Sequence, residues 1–141
     1  MNQLTRSDSS GEQPLLVVVE DDVGTLDLLR EVAEEAGWRV AALTRLAPLR
    51  SALADRLPDL IILDDDLPDG SGGDMARDLR EDRRLQDLPV LVCTAAHPMR
   101  QAQIGAWAPV VSKPFDLTEI ETFLDAAAGR TSENPFHRAA G

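Results

Sequence analysis

The chain has 141 residues, 43% of them hydrophobic, which suffices for one domain with a real core. Its formal net charge is -11, with 14 basic residues against 25 acidic ones, which excludes the clustered cations of a nucleic-acid surface and argues against binding an anionic membrane. The single cysteine, Cys93, allows no intrachain disulfide, and no apolar run approaches the roughly 20 residues of a membrane span, so a cytoplasmic protein is expected.

Residues 1–13 are polar, lack the apolar stretch of a signal peptide and read as a flexible tail. Leu15 to Val19 is a short β-branched apolar run that ends in charge, as a buried strand does. Asp22 is placed to cap a helix whose inward face is Val23, Leu26, Leu29, Val32, Ala33 and Ala36, with Gly37 as its stop. Trp38 to Thr44 reads as a second strand. Pro48 to Leu57 reads as a helix with Leu49, Ala52, Leu53 and Leu57 inward. Leu60 to Leu63 is a third strand, and it runs directly into three consecutive aspartates.

Asp65 to Gly73 is rich in Gly, Asp and Pro and reads as a loop. The spacing predicts a helix from Asp74 to Arg84 with Met75, Ala76 and Leu79 inward. Val90 to Cys93 is a fourth strand that ends at Thr94-Ala95, and Met99 to Ala106 holds a short helix. Val110-Val111 is a brief fifth strand that ends at Ser112-Lys113-Pro114-Phe115. Asp116 caps a last helix, Leu117 to Ala128, with Ile120, Phe123, Leu124 and Ala127 inward, and Gly129 ends it. The expected domain is therefore 14–129, and the polar stretch 130–141 is expected to be a second flexible tail.

Strands alternate with helices throughout, which implies a parallel sheet covered on both faces. In open sheets of this kind, sites lie beyond the carboxyl ends of the strands. The polar residues that directly follow strands are Glu20, Asp21 and Asp22, then Asp64, Asp65 and Asp66, then Thr94, then Lys113. All are expected on one rim.

Carboxylates from two strands make an oxygen-rich site for a hard divalent cation, and magnesium fits because it keeps waters and leaves room for phosphate oxygens. Asp64, the first polar residue after its strand, is the best-held carboxylate and can attack phosphorus to form an acyl phosphate. An ammonium and a hydroxyl can take the remaining phosphoryl oxygens. Lys113 is the only lysine in a chain that otherwise uses arginine, and it stands at that rim.

Plain structural readings stand beside these. Asp22 is a helix cap. Asp65 and Asp69 are solvated loop acids, with Asp69-Gly70 in a turn. Cys93 is a small core residue, His97 a loop histidine and Trp107 a partly buried anchor. Arg77, Arg80, Arg83 and Arg84 form a solvated helix face.

Four segments together resemble the response-regulator receiver domains of bacterial two-component signalling: residues 16–22 (Leu-Val-Val-Val-Glu-Asp-Asp), 58–72 (Pro-Asp-Leu-Ile-Ile-Leu-Asp-Asp-Asp-Leu-Pro-Asp-Gly-Ser-Gly), 88–95 (Leu-Pro-Val-Leu-Val-Cys-Thr-Ala) and 112–115 (Ser-Lys-Pro-Phe). The resemblance implies a flavodoxin-like (βα)5 fold, a doubly wound five-stranded parallel sheet of strand order 2-1-3-4-5. It implies Asp64 as phosphoacceptor, Glu20 and Asp21 as the acidic pair that holds magnesium together with Asp64, and the Asp66 backbone carbonyl as a further metal ligand. Thr94 matches the switch hydroxyl and Lys113 the phosphate-binding lysine. The implied partners are a sensor histidine kinase or a histidine phosphotransfer protein and a downstream protein target, with neither nucleic acid nor membrane. The implied protein is a monomer or weak homodimer that catalyses only its own phosphorylation and dephosphorylation, and no output domain is expected after residue 128.

Two departures from the family pattern fall on one face. Val110 stands where the family commonly has an aromatic residue, and the segment from Thr94 to Lys113 is short, so a stunted fourth helix and a reduced conformational readout are expected. Two other functions fit parts of the pattern. One is a docking module independent of phosphorylation. The other is a phosphohydrolase with Asp64 as nucleophile and Asp66 as acid/base, whose Asp-x-Asp spacing is similar to that of the haloacid dehalogenase family.

Overall fold

Three strands of this chain carry unbroken apolar runs because both of their faces are covered. The computed structural model describes residues 12–132 and 134–136, so the expected tail residues 1–11, 133 and 137–141 lie outside the described residues. The elements are β1 (Leu15–Val19), α1 (Val23–Glu35), β2 (Arg39–Leu43), α2 (Leu49–Asp55), β3 (Leu60–Asp64), α3 (Gly72–Glu81), β4 (Val90–Thr94), α4 (Pro98–Ile104), β5 (Val110–Ser112) and α5 (Leu117–Ala127). They form one parallel sheet of order β2-β1-β3-β4-β5, the flavodoxin-like topology.

Successive side chains on a strand point to opposite faces, and here each face builds its own core. Val17 and Val19, Ile61 and Leu63, and Val90 and Val92 pack with α2, α3 and Ile104 of α4. Leu16 and Val18, Leu60 and Ile62, and Leu91 and Cys93 pack with α1 and α5. Full burial of each Leu or Ile contributes about 1.5–3 kcal/mol. The register pairs Val19 with Leu63 and Asp64 with Cys93. The strands therefore end level, and the residues that follow them meet at one rim.

The helix ends depart from the periodic pattern for local reasons. Leu57, expected inward, is 51% exposed. It precedes Pro58, which disfavours the helical region, and the chain turns extended at Arg56. Val23, also expected inward, is 64% exposed, because the first turn of α1 starts at the rim, where no sheet lies beneath it. The third helix begins at Gly72, two residues before the expected start: Ser71 Oγ accepts from the Asp74 backbone N–H at 3.1 Å and caps it there. It ends at Glu81 rather than at Arg84. The fourth helix is indeed short, with seven residues.

Arg80 does not lie on a solvated face. It donates to the carbonyls of Trp107 and Gln86 and holds the end of α3 to two loops. Arg77 stacks 5.5 Å from the Trp107 ring centre.

The expected tail also needs correction. Phe136 is only 9% exposed and packs edge-on against Phe123 of α5, with ring centres 5.4 Å apart. The chain therefore brings Phe136 back to the core after α5, while Asn134 and Pro135 stay exposed. Phe136→Ala should lower the unfolding free energy by about 2–4 kcal/mol in urea denaturation, where an unpacked tail residue would change it by less than about 0.5.

Candidate functional site

Three polar side chains of the described residues are buried, and all three stand at the carboxyl ends of strands: Glu20 after β1, Asp64 at the end of β3 and Thr94 at the end of β4. Glu20 is 2% exposed and Asp64 5%. Two buried anions this close need a cation. Lys113, which follows β5, supplies it. Its Nζ lies 2.9 Å from Glu20 Oε1 and 3.0 Å from Asp64 Oδ1. The Lys113 backbone is fixed by its own N–H, which donates to the Thr94 carbonyl at 2.8 Å, and the Lys113–Pro114 peptide is cis.

The electrostatics follow from this packing. Burial pushes the Asp64 carboxyl up to about 6; Lys113 pulls it down and the Glu20 charge pushes it further up. Burial opposes the Lys113 charge, but hydrogen bonds to Glu20 and Asp64 outweigh it and hold the ammonium above the ordinary lysine range. The site is thus short of positive charge, since one ammonium serves two buried carboxylates.

The expected metal ligands can be tested on this donor set. One carboxylate oxygen from each of Glu20, Asp21 and Asp64 lies within 4.8 Å of the others, with Asp21 exposed at the mouth. Hard oxygen donors, two of them buried and sharing a single cation, fit a magnesium-sized ion. Asp66 lies outside this carboxylate group, and its side chain is exposed. Thr94 is on the neighbouring strand, and its hydroxyl accepts from the Ala96 N–H at 3.0 Å.

The structure places several loop residues differently from their plain readings. Asp22 does cap α1, accepting from the Thr25 N–H at 2.9 Å. Asp69 is not merely solvated: it accepts from the backbone N–H groups of Leu46 and Ala47, each at 2.8 Å, and pins the loop after β2 to the loop after β3. Those backbone bonds, led by the one from Leu46, hold its carboxyl below the ordinary range. Asp65 is likewise engaged. Its Oδ1 accepts from the Ser71 hydroxyl at 2.7 Å and the Gly73 N–H at 2.9 Å, and it pairs with Arg100 at 3.2 Å. Burial pushes the Asp65 carboxyl up, but these donors together hold it below the ordinary range. His97 caps α4 through Nδ1, and Trp107 donates from Nε1 to the Gly73 carbonyl at 2.8 Å. Cys93 is buried and its thiol is pushed up to about 12 by that burial, which leaves it inert.

Two positions in this region carry no signal in the hydrophobic pattern. Gly72 packs against the end of β3 so closely that a Cβ there would stand 2.1 Å from the Asp64 carbonyl oxygen. Arg100 bridges from α4 to the loop after Asp64. The spacing of Ser71 and Asp74, a capping pair, was the one local clue that the glycines open a helix rather than extend a loop.

A doubly wound parallel sheet with a buried, lysine-paired aspartate at the end of its third strand defines a class of phospho-signalling domains, and comparison with known proteins agrees. The profile of the response regulator receiver domain matches residues 16–125. The chain is 37% identical over 121 residues to the phosphate regulon transcriptional regulatory protein PhoB of Rhizobium meliloti, covering 83% of this chain and 53% of that protein. It is 37% identical over 120 residues to the KDP operon transcriptional regulatory protein KdpE of Escherichia coli, covering 83% and 52%. It spans about half the length of the curated relatives it matches.

Among solved structures, the chemotaxis response regulator CheY4 of Vibrio cholerae superposes with a TM-score of 0.72 at 19% identity, covering 82% of this chain and 98% of that one. The receiver domain of a sensor histidine kinase of Pseudomonas aeruginosa, solved with magnesium coordinated in its active-site cleft, gives 0.71 at 21% identity, covering 83% and 98%. At such identities these likenesses speak to the fold. The chain belongs to the response regulator receiver domain family of two-component signalling.

Proposed function

We propose that this chain accepts a phosphoryl group on Asp64 from the phosphohistidine of a sensor kinase or phosphotransfer protein, in a magnesium-dependent reaction, and signals through protein–protein contacts. The observation that carries this reading is the Asp64 carboxylate, 5% exposed, with Lys113 Nζ at 3.0 Å and the Glu20 and Asp21 carboxylates beside it.

In the reaction an Asp64 oxygen forms a bond to phosphorus while the phosphorus–nitrogen bond of the donor imidazole breaks, and the electron pair leaves with that nitrogen. Glu20, Asp21, Asp64 and the Asp66 carbonyl would hold magnesium, which when bound offsets the charge on the phosphoryl oxygens. Lys113 neutralises a phosphoryl oxygen, exchanging its Asp64 contact for it. Thr94 offers its hydroxyl to another. Catalysis is confined to the domain's own phosphorylation and dephosphorylation. We place the protein in the cytoplasm, where its kinase partners present phosphohistidine; no helix among the described residues is long and apolar enough to cross a membrane.

The test is intact mass after incubation with phosphoramidate, with and without magnesium. A single phosphoryl adduct is expected on the wild type with magnesium and none on Asp64→Asn. An adduct that persists in Asp64→Asn, or its absence from folded wild type with magnesium, would overturn the assignment.

A further inference from the structure

Among the described residues, Arg100 is the one side chain that joins α4 to the loop after Asp64 by charge. Its Nη2 lies 2.8 Å from Ser71 Oγ, 3.2 Å from Asp65 Oδ1 and 3.3 Å from Asp74 Oδ1, and its Nε lies 3.4 Å from Asp65 Oδ2. Asp65 is the residue after the acceptor, is 11% exposed, and is fixed by its own backbone, whose N–H donates to the Cys93 carbonyl at 3.0 Å. Its carboxylate therefore presents a rigid anchor, and Arg100, 30% exposed, is the movable half of the pair.

A second tie between α4 and the site runs through Thr94. The Thr94 hydroxyl holds the Ala96 N–H at 3.0 Å, and the Ala96 carbonyl accepts from Gln101 Nε2 at 2.8 Å. Ala96 thus couples the hydroxyl at the end of β4 to the first turns of α4. If that hydroxyl turns to donate to a phosphoryl oxygen, Ala96 and the start of α4 must follow. The Arg100 bonds to Asp65, Ser71 and Asp74 resist that movement. Beyond these, the buried Ile104 and Gln101 Nε2, which donates to Ser112 Oγ at 3.3 Å, hold α4. Val110, beside it on β5, presents no ring to fill or vacate the space between them.

Resting on the receiver reading above, we infer that Arg100 and Asp65 form a latch that holds α4 in its unphosphorylated position, so that breaking this ion pair is how phosphorylation at Asp64 is read out. Arg100 is a positioning residue: it acts on the acceptor only through the placement of α4. Linkage makes the inference quantitative. If a phosphoryl group opens the latch, an open latch tightens binding of a phosphoryl mimic by the same factor.

The experiment uses the full chain with beryllium fluoride and magnesium as the mimic. It follows mimic affinity by calorimetric titration and α4 movement by amide exchange over residues 97–104. In the wild type the mimic should speed exchange in α4. In Arg100→Met, exchange without the mimic should already be about fivefold faster, mimic affinity should rise by about the same factor, and adding the mimic should no longer change α4. Arg100→Lys should fall between the two. Asp74→Asn, which removes only the exposed arm, should move each readout the same way by less and guards against a folding defect in Arg100→Met. Unchanged affinity and exchange in both Arg100→Met and Asp74→Asn, with the mimic still bound, would overturn the latch and leave the receiver reading intact. Weaker mimic binding in Arg100→Met would also overturn it, since Arg100 would then be assisting the phosphoryl group. Failure of the wild type to bind the mimic would overturn both.

Discussion

Asp64→Asn should make the metal-free protein more stable at pH 8, by up to about 3 kcal/mol, while it removes the proposed phosphoryl acceptor. Burial, opposed by Lys113 and reinforced by Glu20, raises the Asp64 carboxyl from an ordinary 3.8 to about 6. A carboxyl whose folded value is raised favours the folded state when protonated. Between those two values the folded chain binds the proton and the unfolded chain does not, so the contribution of Asp64 falls as pH rises from about 4 to about 6 and is fully lost above that. Asn imitates the neutral acid at every pH. The gain of Asp64→Asn over wild type should therefore be largest at pH 8 and vanish near pH 4. Magnesium should narrow the gap at pH 8 by stabilising the wild type alone through its bound charge. Urea denaturation at several pH values, with chelator and with magnesium, would show this. A less stable Asp64→Asn protein at pH 8 in chelator would mean that the Lys113 pair outweighs burial. The same charge shortage that destabilises the rim would favour a bound cation there.

Gly72→Ala should impair the site without touching any charged group. The added Cβ would stand 2.1 Å from the Asp64 carbonyl oxygen and 2.8 Å from its carbonyl carbon, both backbone atoms of a central strand that cannot turn aside. Either the start of α3 lifts or the end of β3 bends. The expected loss is about 1–3 kcal/mol of stability, as for overpacking elsewhere. The rate of adduct formation should fall further, by about 100-fold, because a reacting group misplaced by about 1 Å loses that much. Gly24→Ala is the control. Its Cβ would meet nothing closer than 3.6 Å, and it lies in an exposed first turn of α1, so stability should hold or rise by a few tenths of a kcal/mol with the rate unchanged. Equal adduct rates in Gly72→Ala and wild type would show that the close approach of α3 does not set the acceptor's position.

The buried Asp64 and its neutralising lysine were legible in the chain because they follow from local order. An apolar run that stops at a carboxylate announces a strand end, and parallel strands that end level place Glu20, Asp64, Thr94 and Lys113 on one rim whatever their separation in sequence. The same periodicity located five strands and five helices. It misjudged Val23 and Leu57, which sit at helix ends where the stripe continues in sequence but the sheet or the helix beneath it does not. It set 130–141 aside as polar, although Phe136 finds Phe123 across the end of α5.

What only the tertiary structure decided is which acid meets which donor. Asp64, Asp65, Asp66 and Asp69 are chemically alike in the chain, yet one is buried beside Lys113, one is held by Ser71, Gly73 and Arg100, one is exposed, and one caps two backbone amides of a distant loop. Period and capping report on neighbours a few residues apart. Charge pairing depends on distance in space, and Asp65 and Arg100 are 35 positions apart in the chain but in contact in the fold.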